Sequence, residues 1–357
     1  MLKRIEVRRL SLPLTTPYHL SFGDVHAFDT VLVRVADEHG REGIGEATVL
    51  TGYTDERIDD TWALAQQLAD ELCGQSTAQV MQRSQALGPG APFLATAFAS
   101  AVEMLEGAAV LAPNSDLVVP VLGTINDTEP ARMRAQIDAL CGQGYRTLKI
   151  KVGTDGPADS ARVVAARAHV AGRGLLRVDA NQGYTPAEAI AFANAVGPGG
   201  IELFEQPCAA GDWDAHMQVA ADCPLPLMLD ESIYDEQDID RVAALGAARF
   251  VKVKLMKFVN LARLAGAIER IRAHGIEPVL GNGVASDIGC WMEACVAARH
   301  IRNAGEMNGW TKQSQPLLSN PLTIRDGTIR VPAGWQPRLD QAALAAATIG
   351  AYEASLR

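Results

Sequence analysis

This chain of 357 residues has no run of 18 apolar residues, no Cys-x-x-Cys pair and no basic excess. The first absence excludes a conventional transmembrane helix. The second, together with no zinc-like spacing of cysteine and histidine, excludes the common zinc and dithiol motifs. Cys73, Cys141, Cys208, Cys223, Cys290 and Cys295 therefore read as free, mostly buried thiols in a reducing compartment. With 32 basic against 42 acidic residues the net charge is −10, which argues against a nucleic-acid or membrane-surface partner. The N-terminus, MLKRIEVRRLSLPL, alternates like a strand and is unlike a signal peptide, so a cytoplasmic location is expected. His19, His26, His39, His169, His216, His274 and His300 match no motif and read as surface or core residues.

What is present is a set of charges at near-regular intervals. Lys151, Asp179, Glu205, Asp230 and Lys254 follow one another at gaps of 28, 26, 25 and 24 residues, about the length of one strand-plus-helix unit. Each lies in or at the end of a short apolar run, as in LKIKV, LLRVD, IELFE, LMLD and FVKVKL. Such runs read as buried strands of a parallel sheet, where an isolated charge would be costly. Converging carboxylates need a cation, and an all-oxygen set suits a hard ion such as Mg2+. Lysines near that cation would have their ammonium forms disfavoured, which moves them toward acid/base use. Separate solvated strand ends are the competing reading for any one of these residues, but not for five at one period.

Composition, 48% hydrophobic and 21% charged, is that of a globular chain, long enough for a barrel-sized domain and a smaller one. Residues 1–115 predict an α+β capping domain: IEVRRLSLPL, TVLVRVAD and GIGEA as antiparallel strands, then alanine-rich helices. Residues 116–315 alternate strand and helix from VPVLGTIN to a weak eighth strand near residues 304–307, which predicts a parallel β/α barrel with its active site at the C-terminal strand ends. Residues 316–357 are expected to return to the cap, with PLTIRDGTIRVPAGW as a hairpin turning at Asp326-Gly327 and packing on the N-terminal domain.

At these residues the chain resembles the enolase superfamily, in particular its muconate lactonizing enzyme subgroup. GIGEA, KIKVG, VDANQGYTPAEA, FEQP, LDES and KVKL stand in that family's order and spacing over nearly the whole chain. The resemblance implies a modified (β/α)7β TIM barrel with an α+β cap. It implies Asp179, Glu205 and Asp230 as Mg2+ ligands, and Lys151 and Lys254 as acid/bases on opposite faces of a small carboxylate substrate. Lys149 would be an electrostatic partner of the substrate carboxylate, and Asn181 and Glu231 would orient ligands or a lysine. The chemistry would be removal of a proton α to a carboxylate through an enediolate; this superfamily is a standard example of Lys or His bases working with Mg2+.

Racemisation or epimerisation of a small carboxylate such as an amino-acid derivative is the leading expectation. A lyase, such as a hydroxy-amino-acid dehydratase, or a muconate-type cycloisomerase would use the same site. A binding barrel without catalysis is disfavoured because both lysines and all three carboxylates are present. The seventh strand, PVLGNGV, lacks the histidine of the mandelate racemase subgroup. Three departures stand out: Phe258-Val259-Asn260 after Lys257 where glycines are common, Ala285 in GNGVASD where glutamate is common, and no Asp-x-Asp in GEMNGWTK, which disfavours a dipeptide. Specificity is expected from segments His19 to His26 and Leu50 to Thr54 and from the chain after the eighth strand. There Tyr53 and Trp310 could cage an ammonium group and Asp287 could pair with it, or the two rings could pack as cap hydrophobes and Asp287 could cap a helix. A homo-oligomer is also expected.

Overall fold

The computed structural model describes residues 1–20 and 23–356, without the side chains of His19 and Leu20. Part of the His19 to His26 specificity segment thus lies outside the described residues. The alternating N-terminal sequence forms β1 (Leu2–Leu20), β2 (Gly23–Asp37) and β3 (Glu42–Thr48), paired antiparallel in that order. Helices α1 (Ile58–Leu72), α2 (Thr77–Leu87) and α3 (Pro92–Leu105) complete the cap. Gly43 and Gly45 explain why GIGEA carries glycine: a Cβ there would lie 2.0 Å from the Ala101 carbonyl and 2.1 Å from that of Ala97. Their absence of side chain lets α3 lie directly on β3.

The chain then forms β4 (Leu117–Pro120) and β5 (Gly123–Ile125), α4 (Pro130–Gly142), β6 (Thr147–Lys151), α5 (Gly156–Val170), β7 (Leu175–Asp179), α6 (Pro186–Val196) and β8 (Ile201–Glu205). It continues through α7 (Trp213–Asp222), β9 (Leu227–Leu229), α8 (Glu236–Leu245), β10 (Phe250–Val253), α9 (Leu255–Phe258), α10 (Leu261–Ala273), β11 (Glu277–Leu280) and α11 (Asp287–His300). Strands β5 to β11 make one parallel sheet in sequence order. In place of the expected eighth strand, an extended bridge closes the barrel. Gly305 N donates to Pro120 O (3.0 Å), Leu122 N to Gly305 O (2.9 Å) and Glu306 N to Leu280 O (3.0 Å). Inside, Leu203, Met228 and Val279 pack together. Deeper in the barrel, fully buried Arg177 pairs with Glu202 and donates to Ala304 O.

The hairpin β12 (Thr323–Arg325) and β13 (Thr328–Val331) has the positive-φ turn expected at Asp326-Gly327, but it pairs with β4 at the barrel and not with the cap sheet. Alternation specifies a hairpin, not the edge it joins. The part of the C-terminal segment that does reach the cap is β14 (Thr348–Ser355), which follows α12 (Gln341–Ala347) and pairs antiparallel with β1. Cap and barrel are also tied by buried carboxylates at helix starts. Glu46 accepts from Ser286 N and Gly289 N, both at 2.9 Å, and Glu103 from Leu261 N and Ala262 N, where the helix dipole favours negative charge. Among the described residues no helix is long and apolar enough to cross a membrane.

Candidate active site

Five neighbouring strands carry the five periodic charges. Lys151 ends β6, Asp179 ends β7 and Glu205 ends β8, with Lys151 beside Asp179 and Asp179 beside Glu205 in the strand register. Asp230 follows β9 and Lys254 follows β10. The order across the sheet is therefore lysine, three carboxylates, lysine. Because side chains alternate along a strand, Lys149 points inward with Lys151, and Lys252 with Lys254.

Lys149 Nζ lies 2.8 Å from Asp179 Oδ2, 2.9 Å from Glu205 Oε2 and 2.8 Å from Glu306 Oε1. Lys252 Nζ lies 2.7 Å from Glu205 Oε1, 2.8 Å from Glu306 Oε1 and 3.7 Å from Asp230 Oδ2. Asp230 is gripped by Lys254 (2.7 Å) and by Lys257, which donates to both its side chain (2.7 Å) and its carbonyl (2.5 Å). Asn181 bridges the strand ends: its backbone N–H donates to Asp179 and its amide to Glu231, both at 3.0 Å. Gln206, fully buried, accepts from Asp230 N and donates to Ser232 Oγ, which fixes the LDES turn.

These contacts set the electrostatics. Burial, and then the adjacent Asp179 charge, push the Glu205 carboxyl up to about 7 against the pull of Lys149 and Lys252. Burial would raise Asp230 too, but Lys254, Lys257 and Lys252 hold it well below the carboxylate range. Burial drives Lys257 down to about 8, only partly offset by Asp230. Desolvation opposes the Lys149 ammonium, yet Asp179, Glu205 and Glu306 raise its pKa well above the usual value.

Sequence reasoning did not find Glu306, Lys252 or Lys257. Lys252 had a signal: Lys252-x-Lys254 repeats the Lys149-x-Lys151 spacing on another inward face. Glu306 sat in the segment expected to be the eighth strand. Lys257 follows from the single turn of α9, which folds it back beneath Asp230.

The specificity residues separate. Tyr53, from the cap, accepts a hydrogen bond from Lys254 Nζ (2.7 Å) and donates to Asp230 (3.2 Å), with its ring centroid 4.3 Å from Lys254 Nζ. Its ring neighbour is Tyr234, at 6.4 Å. Trp310 instead lies buried in the larger hydrophobic core. The structure does not bring Asp287 to the site either: it is buried, accepts from Leu318 N, and is raised to about 6 by burial. The cap of α11 is its neighbour Ser286. The cage therefore loses two of its three members, because the α11 start and the 3-10 turn at Gly309–Lys312 pack inward.

Among the described residues no three acidic, histidine or cysteine side chains form a ready-made metal cage, because ammonium groups stand between the carboxylates. The donor set still fits a hard cation. It is all oxygen, and Glu205 Oε2, although 2.9 Å from Lys149 Nζ, is buried without a properly directed hydrogen bond.

Comparison with known proteins agrees with this architecture. Residues 4–108 match the N-terminal domain of mandelate racemase / muconate lactonizing enzyme, and residues 132–335 match the enolase C-terminal domain-like family. The L-Ala-D/L-Glu epimerase of Bacillus subtilis is 31% identical over 314 residues, covering 83% of this chain and 84% of that protein. The N-succinyl Arg/Lys racemase of Bacillus cereus superposes with a TM-score of 0.90 at 24% identity, covering 99% of both chains. A Cytophaga hutchinsonii dipeptide epimerase, solved with Mg and D-Ala-L-Val, gives 0.89 at 22%, also covering 99% of both. At these identities the two structures speak to the fold. The two domain matches and the Bacillus subtilis relative show that the chain belongs to the mandelate racemase/muconate lactonizing enzyme family, as an enzyme of the enolase superfamily.

Proposed function

We propose that this enzyme removes the proton α to a carboxylate and returns it on the other face, racemising or epimerising a small amino-acid-derived carboxylate. The observation that carries this reading is the order Lys151, Asp179, Glu205, Asp230, Lys254 across adjacent strand ends. In a closed barrel the two outer lysines flank the carboxylates, so a substrate held there presents one face to each. The amine of one lysine takes the proton while the ammonium of the other delivers one. Lys149 and Lys252, held by Glu205 and Glu306, are fixed positive charges beside the position where enediolate charge develops, which is preorganised stabilisation. Tyr53 orients Lys254 from the cap.

Asp179, Glu205 and Asp230 would hold Mg2+, which when bound supplies Lewis-acid stabilisation of the substrate carboxylate. Glu205, protonated up to about pH 7 without a further cation, is the ligand with most to gain. We also infer a cytoplasmic homo-oligomer. Its six cysteines are free thiols, in keeping with a reducing compartment, and size-exclusion chromatography with light scattering reads the assembly.

The function is tested by incubating enzyme and Mg2+ in D2O with α-substituted acids, including N-acyl, N-methyl and hydroxyproline-type amino acids, read by mass spectrometry. A one-unit mass gain without new products is expected. Loss of water or a changed skeleton would assign a lyase or cycloisomerase to the same site instead.

A further inference from the structure

Lys254 is the N-cap of α9, but its side chain is committed to the site: Nζ donates to Asp230 Oδ2 and to the Tyr53 hydroxyl, both at 2.7 Å. The turn that follows must find an acceptor for its first N–H elsewhere. Glu293, on α11, supplies it. Its Oε1 accepts from Leu255 N at 3.1 Å across 38 positions of sequence, and Lys257 N closes the turn on Lys254 O at 3.1 Å. Glu293 is fully buried, its Oε2 has no hydrogen bond, and among the described residues the carboxyl makes no ion pair. The polar groups facing it are Asn282, Glu46, Cys290 and, beyond ion-pair distance, Lys254. Asn282 has its own oxygen engaged by Val284 N and Ala285 N. Burial raises Glu293 to about 8, against the Leu255 N–H, Asn282 and Lys254. A carboxyl with one unused buried oxygen is costly where an apolar side chain would fill the space.

Lys151 has a different support. Asp159, buried on α5, accepts from Gly153 N, Thr154 N and Asp155 N at 2.9, 3.1 and 3.1 Å, and from the Tyr184 hydroxyl at 2.7 Å. It pairs with Arg162 at 2.6 Å, and the same guanidinium nitrogen donates to Lys151 O at 2.8 Å. Burial would raise Asp159, but Tyr184, Arg162 and the backbone N–H groups hold it below its ordinary range. The two supports share no residue.

We propose that Glu293 is the positioning residue of Lys254 and Asp159 that of Lys151, so that the two faces of the reaction are aligned independently. The proposal rests on the two-lysine reading above. Both carboxyls act through the main chain at their lysine, where a displacement of about 1 Å can cost about 10²-fold in rate. Glu293 works as an uncharged acceptor and Asp159 as a charged one.

The experiment measures α-deuterium exchange separately for each enantiomer of the α-substituted acid that gains most deuterium in the screen above, with Mg2+ present. Loss of exchange in Lys254→Ala identifies the enantiomer that Lys254 deprotonates. For that enantiomer Glu293→Leu should lower kcat at least tenfold with KM within about twofold, and exchange of the other should stay within about twofold. Asp159→Asn should show the reverse. Glu293→Gln, which keeps the acceptor, should restore exchange. Glu293→Asp, one methylene too short to reach Leu255 N, should not, and it decides the matter if Glu293→Leu does not fold. Amide hydrogen exchange of residues 250–258, read by mass spectrometry, needs no substrate and should quicken in Glu293→Leu and Glu293→Asp. Equal loss for both enantiomers, or a loss in Glu293→Gln as deep as in Glu293→Leu, would overturn the proposal and leave the α-proton chemistry standing. Unchanged amide exchange in both variants would overturn the anchor itself. Quickened amide exchange beside a wild type that exchanges neither enantiomer would support the anchor and overturn that chemistry.

Discussion

Lys151 and Lys254 are chemically alike but stand at opposite ends of the carboxylate row, and that difference is measurable. If each serves one face, Lys151→Ala should suppress α-deuterium exchange from one enantiomer by about 10²–10⁴-fold and Lys254→Ala from the other. Proton NMR of each enantiomer in D2O reads this, and full activity in either variant would sink the two-base scheme. Glu46 gives a second prediction. Burial raises it from its usual 4.5 to about 7, reinforced by Asp287 and opposed by the N–H groups of Gly289 and Ser286. A folded pKa above the unfolded one means that the protonated form stabilises the fold below pH 4.5 and that this stability is lost as pH rises through 7. Glu46→Gln keeps the acceptor and cannot ionise. Its unfolding free energy should fall less between pH 5 and pH 8, by roughly 3 kcal/mol, in denaturant titrations.

Elements here are shaped by a few backbone positions. After the Lys254 strand this chain has Val259 at φ 68 and ψ −39, with Asn260 N donating to Phe258 O at 2.8 Å. That is a tight three-residue turn in a strained region for a β-branched residue, costing about 1–3 kcal/mol. The buried side chain offsets the strain by packing on Ala95 and Ala99 of α3, tying the α9 turn to the cap. Removing it should lose and gain similar amounts. Val259→Gly is expected to shift stability by less than about 1 kcal/mol, whereas Val178→Gly, in central β7, should cost about 3 kcal/mol. Comparable losses at both sites in chemical unfolding would show that the Val259 turn stores no strain.

For the whole molecule, the site is a place where the cap meets the mouth of the barrel. Tyr53 and Tyr18 come from the cap; the lysines and carboxylates come from the strand ends. A cation bound there by the native state alone must stabilise the entire fold. At a hundred times its Kd, Mg2+ should add about 2.7 kcal/mol and raise Tm by several degrees. Excess chelator should reverse the rise and Asp179→Asn should abolish it in differential scanning fluorimetry; an equal rise in that variant would place the ion elsewhere.

The barrel, the cap and the row of five charges are legible in local residue patterns. Strand periodicity and burial are local properties, and a charge ending each apolar run must share a mouth with its neighbours once a parallel sheet closes. KIKVG, FEQP and LDES each write one strand end, and each of those charges arrives where the spacing placed it. Tertiary structure alone decided what lies opposite them. Glu306 reaches Lys149 across 157 positions and Tyr53 reaches Lys254 across 201, and no periodicity reports such contacts. Trp310 and Asp287 turned inward, and the hairpin chose β4 over the cap, because which surface an apolar ring or a strand edge covers depends on shapes that exist only after folding.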